Sequence, residues 1–218
     1  MNEEIVVAGI DIGGDRKGCH LVILRGMEVE RSTVAHDPDE LARLCKDHDV
    51  IAVGVDSPCR WGSSSGGRKA ERDLAKQRIF SFSTPTKERA LANKSGFYGW
   101  MFNGERVYEA LLPEYPLLSD EKYTGGRICF ETFPHAVTCA LLGVEAASAR
   151  KKRTQRRQLL EDAGIATRSL SNPLRSIDAI DAAVCALTAR FLVENRFQPV
   201  GDFEGGWIVM PKSIVGMK

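Results

Sequence analysis

The chain has 218 residues, 43% hydrophobic and 7% aromatic, which suits one soluble globular domain. Its 30 Lys and Arg against 29 Asp and Glu leave a net charge of +1, so no partner is selected by global charge and the sign must be read locally. No window reaches the ~18 uninterrupted apolar residues of a membrane span, and Met1-Asn2-Glu3-Glu4 lacks the basic-then-apolar profile of a signal peptide, so a cytoplasmic, non-membrane protein is expected.

The first element is the apolar run Val6-Val7-Ala8-Gly9-Ile10-Asp11-Ile12, a buried strand over about 5–12. A carboxylate is costly inside such a strand, so Asp11 belongs at its end, facing a metal or phosphate or else forming the turn. Gly13 and Gly14 let backbone and ligand approach closely there. A second strand over 19–24, a turn at Arg25-Gly26 and an alternating strand over 27–35 complete an antiparallel meander. Asp37-Pro38-Asp39-Glu40 starts a helix with apolar Leu41, Leu44 and Cys45. The next strand, about 50–56, ends like the first on an acid, Asp56, and the helical crossover favours a parallel neighbour.

A Ser/Gly/Pro loop over 57–67 leads into a basic helical segment with Arg68, Lys69, Arg72, Lys76 and Arg78, broken at Thr84-Pro85-Thr86. A helix is expected over 97–112, its aromatics Phe97, Tyr98, Trp100 and Phe102 reading as core or as base-stacking rings. A helical insertion at about 80–125 is compatible with this region. A strand over 127–132 ends at Glu131, which would either join the other acids as ligand or general base or cap the helix over 135–142. Residues 150–157 hold six basic side chains in eight, Lys151 and Lys152 among them, and either grip phosphates or form a solvated helix face. The last helix, about 176–195, carries Asp178 and Asp181 on one face among small residues that would permit close packing on a sheet. Residues 207–210 add a short strand or pack on the surface. Six scattered Cys without a CxxC pair read as reduced core residues, and the four His show no metal spacing.

Adjacent parallel strands would bring Asp11 and Asp56 together at the sheet edge where open α/β folds place their sites. A helix crossing that edge adds Asp178 and Asp181, and four carboxylates there suit one or two Mg2+ or Mn2+ ions. These residues resemble the RNase H-like nuclease fold, and the Asp178-Ala179-Ile180-Asp181-Ala182 pattern resembles RuvC-type junction resolvases. The whole chain is similar to a bacterial and archaeal family of predicted nucleases of that fold (domain of unknown function 429 type). The resemblance is carried by Gly9-Ile10-Asp11, Gly54-Val55-Asp56-Ser57-Pro58, Arg68-x-x-Glu71, Glu131-Thr132-Phe133-Pro134 and the Asp178/Asp181 motif.

The resemblance implies a single RNase H-like domain over 1–218, with a mixed five-stranded sheet (three antiparallel strands, then parallel ones) and helices on both faces. It also implies a metal-dependent nuclease with nucleic acid as partner. Asp11, Asp56, Asp178 and Asp181 would be metal ligands, with Glu131 beside them, and Gly13, Gly14, Arg68, Lys69, Lys151 and Lys152 would be substrate contacts. RNase H proper carries a Glu on its first helix. Here Asp39 and Glu40 sit at that helix's start and the role is not carried over. Two alternatives stay open. Ile10-Asp11-Ile12-Gly13-Gly14 also resembles the phosphate loop of the actin-like ATPase and sugar-kinase group, although 218 residues lack its second domain. A non-catalytic nucleic-acid-binding module of the same fold is the other.

Overall fold

Seven strands form one mixed sheet in the order β3-β2-β1-β4-β5-β7-β6. The structure is a computed structural model and describes residues 4–63, 66–167 and 173–212. Residues 64 and 65 of the expected 57–67 loop, and residues 1–3 of the expected N-terminal reading, lie outside these. The strands are β1 (Val6–Asp11), β2 (Cys19–Arg25), β3 (Glu28–Ala35), β4 (Ala52–Asp56), β5 (Ile128–Thr132), β6 (Phe197–Asp202) and β7 (Gly206–Pro211). The first three pair antiparallel, and β4, β5 and β7 then run parallel to β1.

The expectation of five strands is therefore corrected to seven, with β6 and β7 pairing antiparallel beyond β5. The reason β6 escapes the sequence pattern is local. Pro199 and Gly201 lie within it, and Pro is tolerated because β6 is the sheet's outer strand.

The helices are α1 (Pro38–Asp47), α2 (Lys69–Lys76), α3 (Lys87–Ala92), α4 (Gly99–Leu111), α5 (Pro134–Leu142), α6 (Lys152–Asp162) and α7 (Ile177–Val193). Asp37 caps α1 by accepting from the Asp39 amide, which satisfies one of the orphan donors of the first turn. Strand alternation divides the apolar residues between two layers. Val7, Ala52 and Phe130 face α7, together with Val137 of α5 and Leu160 of α6. Ile10, Val53 and Val55 face α1 and α4 through Leu41, Leu44, Val107 and Leu111. Helices thus cover both faces. Each fully buried Leu or Ile in these layers contributes about 1.5–3 kcal/mol. No helix among the described residues is long and apolar enough to cross a membrane.

The small residues expected to let the last helix approach the sheet do so. A Cβ on Gly9 would overlap the Ala182 carbonyl oxygen and the Ala186 amide nitrogen, and one on Gly54 would sit 2.6 Å from the Cys185 carbonyl oxygen. Two bare strand glycines and the Ala-rich face of α7 bring helix backbone onto strand backbone, far closer than larger side chains permit. That contact fixes where the acids of α7 fall.

Candidate functional site

Asp11 and Asp56 are register partners at the ends of neighbouring parallel strands. They alternate onto the face covered by α7, because Val7 and Ala52, an even number of residues back along their strands, lie in that layer. The first turns of α7 set Asp178 and Asp181 over the same edge. Asp11, Asp178 and Asp181 line one broad cleft of about 890 Å³ with Gly13, Gly14 and Lys152. Asp181 is buried, whereas Asp178 is half-buried and pairs with Lys17 at 3.6 Å.

The electrostatics show acids in excess. Burial, then the charges of Asp181 and Asp178, push Asp11 up to about 7 against the pull of Arg156 and Lys152. Asp56 is raised well above the carboxylate range by burial first and by Asp11 and Asp181 next. Burial also raises Asp181, opposed by Arg156. Arg156 of α6 is itself buried and donates to an Asp181 carboxylate oxygen. One guanidinium thus answers a group of buried carboxylates.

Nothing local distinguishes Arg156 within the basic run of 150–157. The only signal for it is helical phase: Lys152 and Arg156 are one turn apart, so they share a face once the helix start is known. His20 also emerges only from the structure, as the cross-strand partner of Asp11 lining the same cleft. Burial holds its imidazole below the usual histidine value, with Asp178 pulling the other way, and its Nε2 lies 3.0 Å from Ser32 Oγ.

Several expected site residues fall elsewhere. Glu131 is in register with Val55, hence on the opposite face of the sheet from Asp11 and Asp56. It neither lines the acid cleft nor caps α5, whose N-cap is Phe133. It instead accepts two 2.6 Å bonds from the Arg68 guanidinium and one of 2.9 Å from the Cys59 amide. Arg68 is 4% exposed and holds Glu71 as well, through Nε at 2.9 Å, so it is committed to carboxylates and not open to a phosphate. Glu71 is buried, accepting from Arg68 and from the amide and hydroxyl of Thr84. Lys69 lies over β6, donating to the Gly201 carbonyl at 3.2 Å and to Asp73. Lys151 is exposed outside the cleft, in the 3-10 turn before α6. Gly13 is needed by its own loop, since a Cβ there would overlap the Gly18 carbonyl oxygen, while the space around Gly14 is open.

The aromatics of 97–102 are divided between the surface and the interior. Phe97 is 56% exposed and, with Tyr98 and Trp100, surrounds the exposed Phe82, their ring centroids 5.7–6.1 Å from it. Phe102 packs on Trp61.

The donor chemistry of the cleft suits a hard divalent cation: the carboxylates of Asp11, Asp178 and Asp181 lie along it beside one imidazole, His20, with no thiol among the lining residues. Among the described residues, no three Asp, Glu, His or Cys side chains are gathered closely enough to hold a metal as they stand. A cation here would share Asp181 with Arg156.

The chain matches the model of the family described as "Protein of unknown function (DUF429)" over residues 9–204. No curated protein matches it. Among solved structures it is similar to RuvC of Thermus thermophilus, with 16% identity, 88% of this chain and 96% of that chain covered, and a TM-score of 0.45. Because the family model spans most of its length, the chain belongs to the DUF429 family.

Proposed function

We propose that the chain is a divalent-metal-dependent hydrolase of phosphodiester bonds in nucleic acid, with an RNase H-like arrangement of its first five strands. The observation that carries the reading is the convergence of Asp11, Asp56 and Asp181 from three elements at one sheet edge, where burial raises all three and a neighbouring carboxylate adds to each. Acids placed at such mutual disadvantage are favoured where a multivalent cation or protonation relieves them.

Asp11, Asp56 and Asp181 would hold Mg2+ or Mn2+, with Asp178 at the cleft's outer side. When bound, such a cation supplies polarisation of a phosphoryl oxygen and a lower pKa for attacking water. The chain's own residues then divide the remaining work. Lys152 and Lys17, both lining the cleft, place the substrate phosphate by charge. The open side of Gly14 leaves room for the nucleic-acid backbone. His20, kept neutral at neutral pH by burial, faces the same cleft and can take a proton there. The Arg156 guanidinium holds the Asp181 carboxylate in place.

Incubating the purified chain with single-stranded, duplex and branched DNA and RNA in Mn2+ tests the reading. Cleavage is expected, lost with EDTA and reduced by at least about a hundredfold in Asp181→Asn. Cleavage that survives both treatments would belong to another site or a contaminant and would end this assignment.

A further inference from the structure

On the face of the sheet opposite α7, α4 reaches the chain just beyond both acid-bearing strand ends. Asn103 donates through Nδ2 to the Gly13 carbonyl at 2.9 Å, two residues past Asp11. Tyr108 donates its hydroxyl to the Ser57 carbonyl at 3.0 Å, one residue past Asp56. Between them Gly104 brings helix backbone against Ser57, since a Cβ there would lie 1.9 Å from Ser57 Oγ. The chain after Asp56 is tied to α4 again at Trp61, whose indole donates to Glu105 at 2.8 Å and whose ring packs on Phe102.

Neither bonding group is what packing alone selects. Val107, Tyr108 and Leu111 set the buried side of α4 against Ile10, Val53 and Val55. Asn103 is one and two turns before Val107 and Leu111, so it falls on that same side and is 8% exposed. Asn is a poorer helix former than Leu, and a buried amide is unfavourable unless it is bonded. Here it is bonded at both ends: Oδ1 accepts from Arg106, which leaves the amide NH2 group for Gly13. The ring of Tyr108 would fill the core equally well as Phe, and only its hydroxyl reaches Ser57. The two bonds land on backbone beside Asp11 and Asp56, which are register partners. Together they fix the end of β1 against the end of β4. Acids on strand ends so held have little latitude in spacing. That suits Mg2+, which demands a small and regular oxygen shell, better than Ca2+, which accepts larger and irregular ones.

We propose that Asn103 and Tyr108 are positioning residues that make the acid site selective for Mg2+ over Ca2+, by holding the ends of β1 and β4 at one separation. The inference rests on reading the acid cleft as a cation site. Neither residue lines that cleft, so its effect on the ion passes through the backbone of Gly13 and Ser57. Groups that orient metal ligands indirectly typically change metal affinity by about 10–100-fold when they are replaced.

The test follows Mn2+ bound to the full chain by EPR and reads the affinities of Mg2+ and Ca2+ from the concentrations that displace it. The wild type should prefer Mg2+. Asn103→Leu removes the amide but keeps apolar bulk, and Tyr108→Phe removes one hydroxyl and leaves the ring in the core. Each should weaken Mg2+ by about tenfold and Ca2+ by less than about threefold. Leu111→Val loosens the same helix without touching either bond, and should lower Tm while keeping the Mg2+/Ca2+ ratio. The inference is overturned by a wild type without preference for Mg2+, by an unchanged ratio in Asn103→Leu and Tyr108→Phe, or by an equal change in Leu111→Val. A wild type that binds no Mn2+, or Mn2+ binding that persists undiminished in Asp11→Asn, removes the cation reading as well. Mn2+ held at Asp11 with an unaltered ratio removes the positioning role alone.

Discussion

Two groups of buried charge flank the ends of β4 and β5, and they are built on opposite terms. On one face, Arg68 meets Glu131 and Glu71 through its full guanidinium fork, and each carboxylate also accepts from backbone amides. On the other, Asp11, Asp56 and Asp181 share Arg156, with Lys152 acting on Asp11 and Asp181, and repulsion remains. The first group is complete as it stands, so its role is to fasten the 68–84 segment to β5. The second is left open to a cation. Compensation, not acidity alone, separates a strut from a site.

The largest effect should come from breaking the complete group. Arg68→Met leaves Glu131 and Glu71 buried without their cation and should lower stability by about 3–5 kcal/mol in urea unfolding. The double variant Arg68→Met/Glu131→Gln should recover part of that loss. If the single variant unfolds at the wild-type denaturant concentration, the strut assignment is wrong.

Next in size is the contact that positions the open group. Gly9→Ala forces a Cβ into the Ala182 and Ala186 backbone and should destabilise by about 1–3 kcal/mol through overpacking. Because Asp181 sits beside Ala182, the same variant should also weaken the thermal stabilisation produced by Mn2+. A variant that loses stability but keeps the full Mn2+ shift would show that α7 can move without disturbing the acids.

Arg156→Gln removes the cation that now shares the cleft. The metal-free protein should lose about 1–3 kcal/mol, and the Mn2+-induced rise in Tm should become larger than in the wild type. An unchanged metal response would mean that Arg156 and the metal do not compete for Asp181.

The comparison also explains what the sequence discloses. Asp11 and Asp56 stand out because each ends an apolar run, and the small residues around Asp178 and Asp181 announce close packing; the structure pairs Asp11 with Asp56 in register and sets Asp178 and Asp181 along the cleft that Asp11 lines. Glu131 gave the same signal as Asp11 and Asp56, an acid at a strand end. Its face depends on register with Val55, a long-range property invisible in a local pattern. The capture of Glu131 by Arg68 joins residues 63 apart, so neither charge reveals the other in sequence. Arg156 is hidden for a different reason: six basic residues in eight look alike until helical phase selects one for burial. The exposed rings of Phe82 and Phe97 are invisible on the same ground, since hydrophobicity identifies apolar residues but not the surface that function leaves uncovered.

The subtlest prediction concerns pH in the absence of metal. Asp11 has an ordinary value of 3.8 and is raised to about 7 in the folded chain, chiefly by burial and then by Asp181 and Asp178. Between these values the folded state binds the proton that the unfolded state has released. The resulting stabilisation is complete below about pH 4 and disappears as pH rises through about 7. Asp11→Asn has no such proton to lose. Its Tm relative to the wild type should therefore climb from pH 5 to pH 8, by about 5 °C for a group of this kind. Glu131→Gln, on the compensated face, should stay below the wild type throughout that range because it weakens the pair with Arg68. Mn2+ should stabilise the wild type more at pH 8 than at pH 6, since the cation competes with the proton on Asp11. Parallel pH profiles for wild type and Asp11→Asn would place the carboxyl in an unstrained, solvated setting and remove the contrast between the two faces.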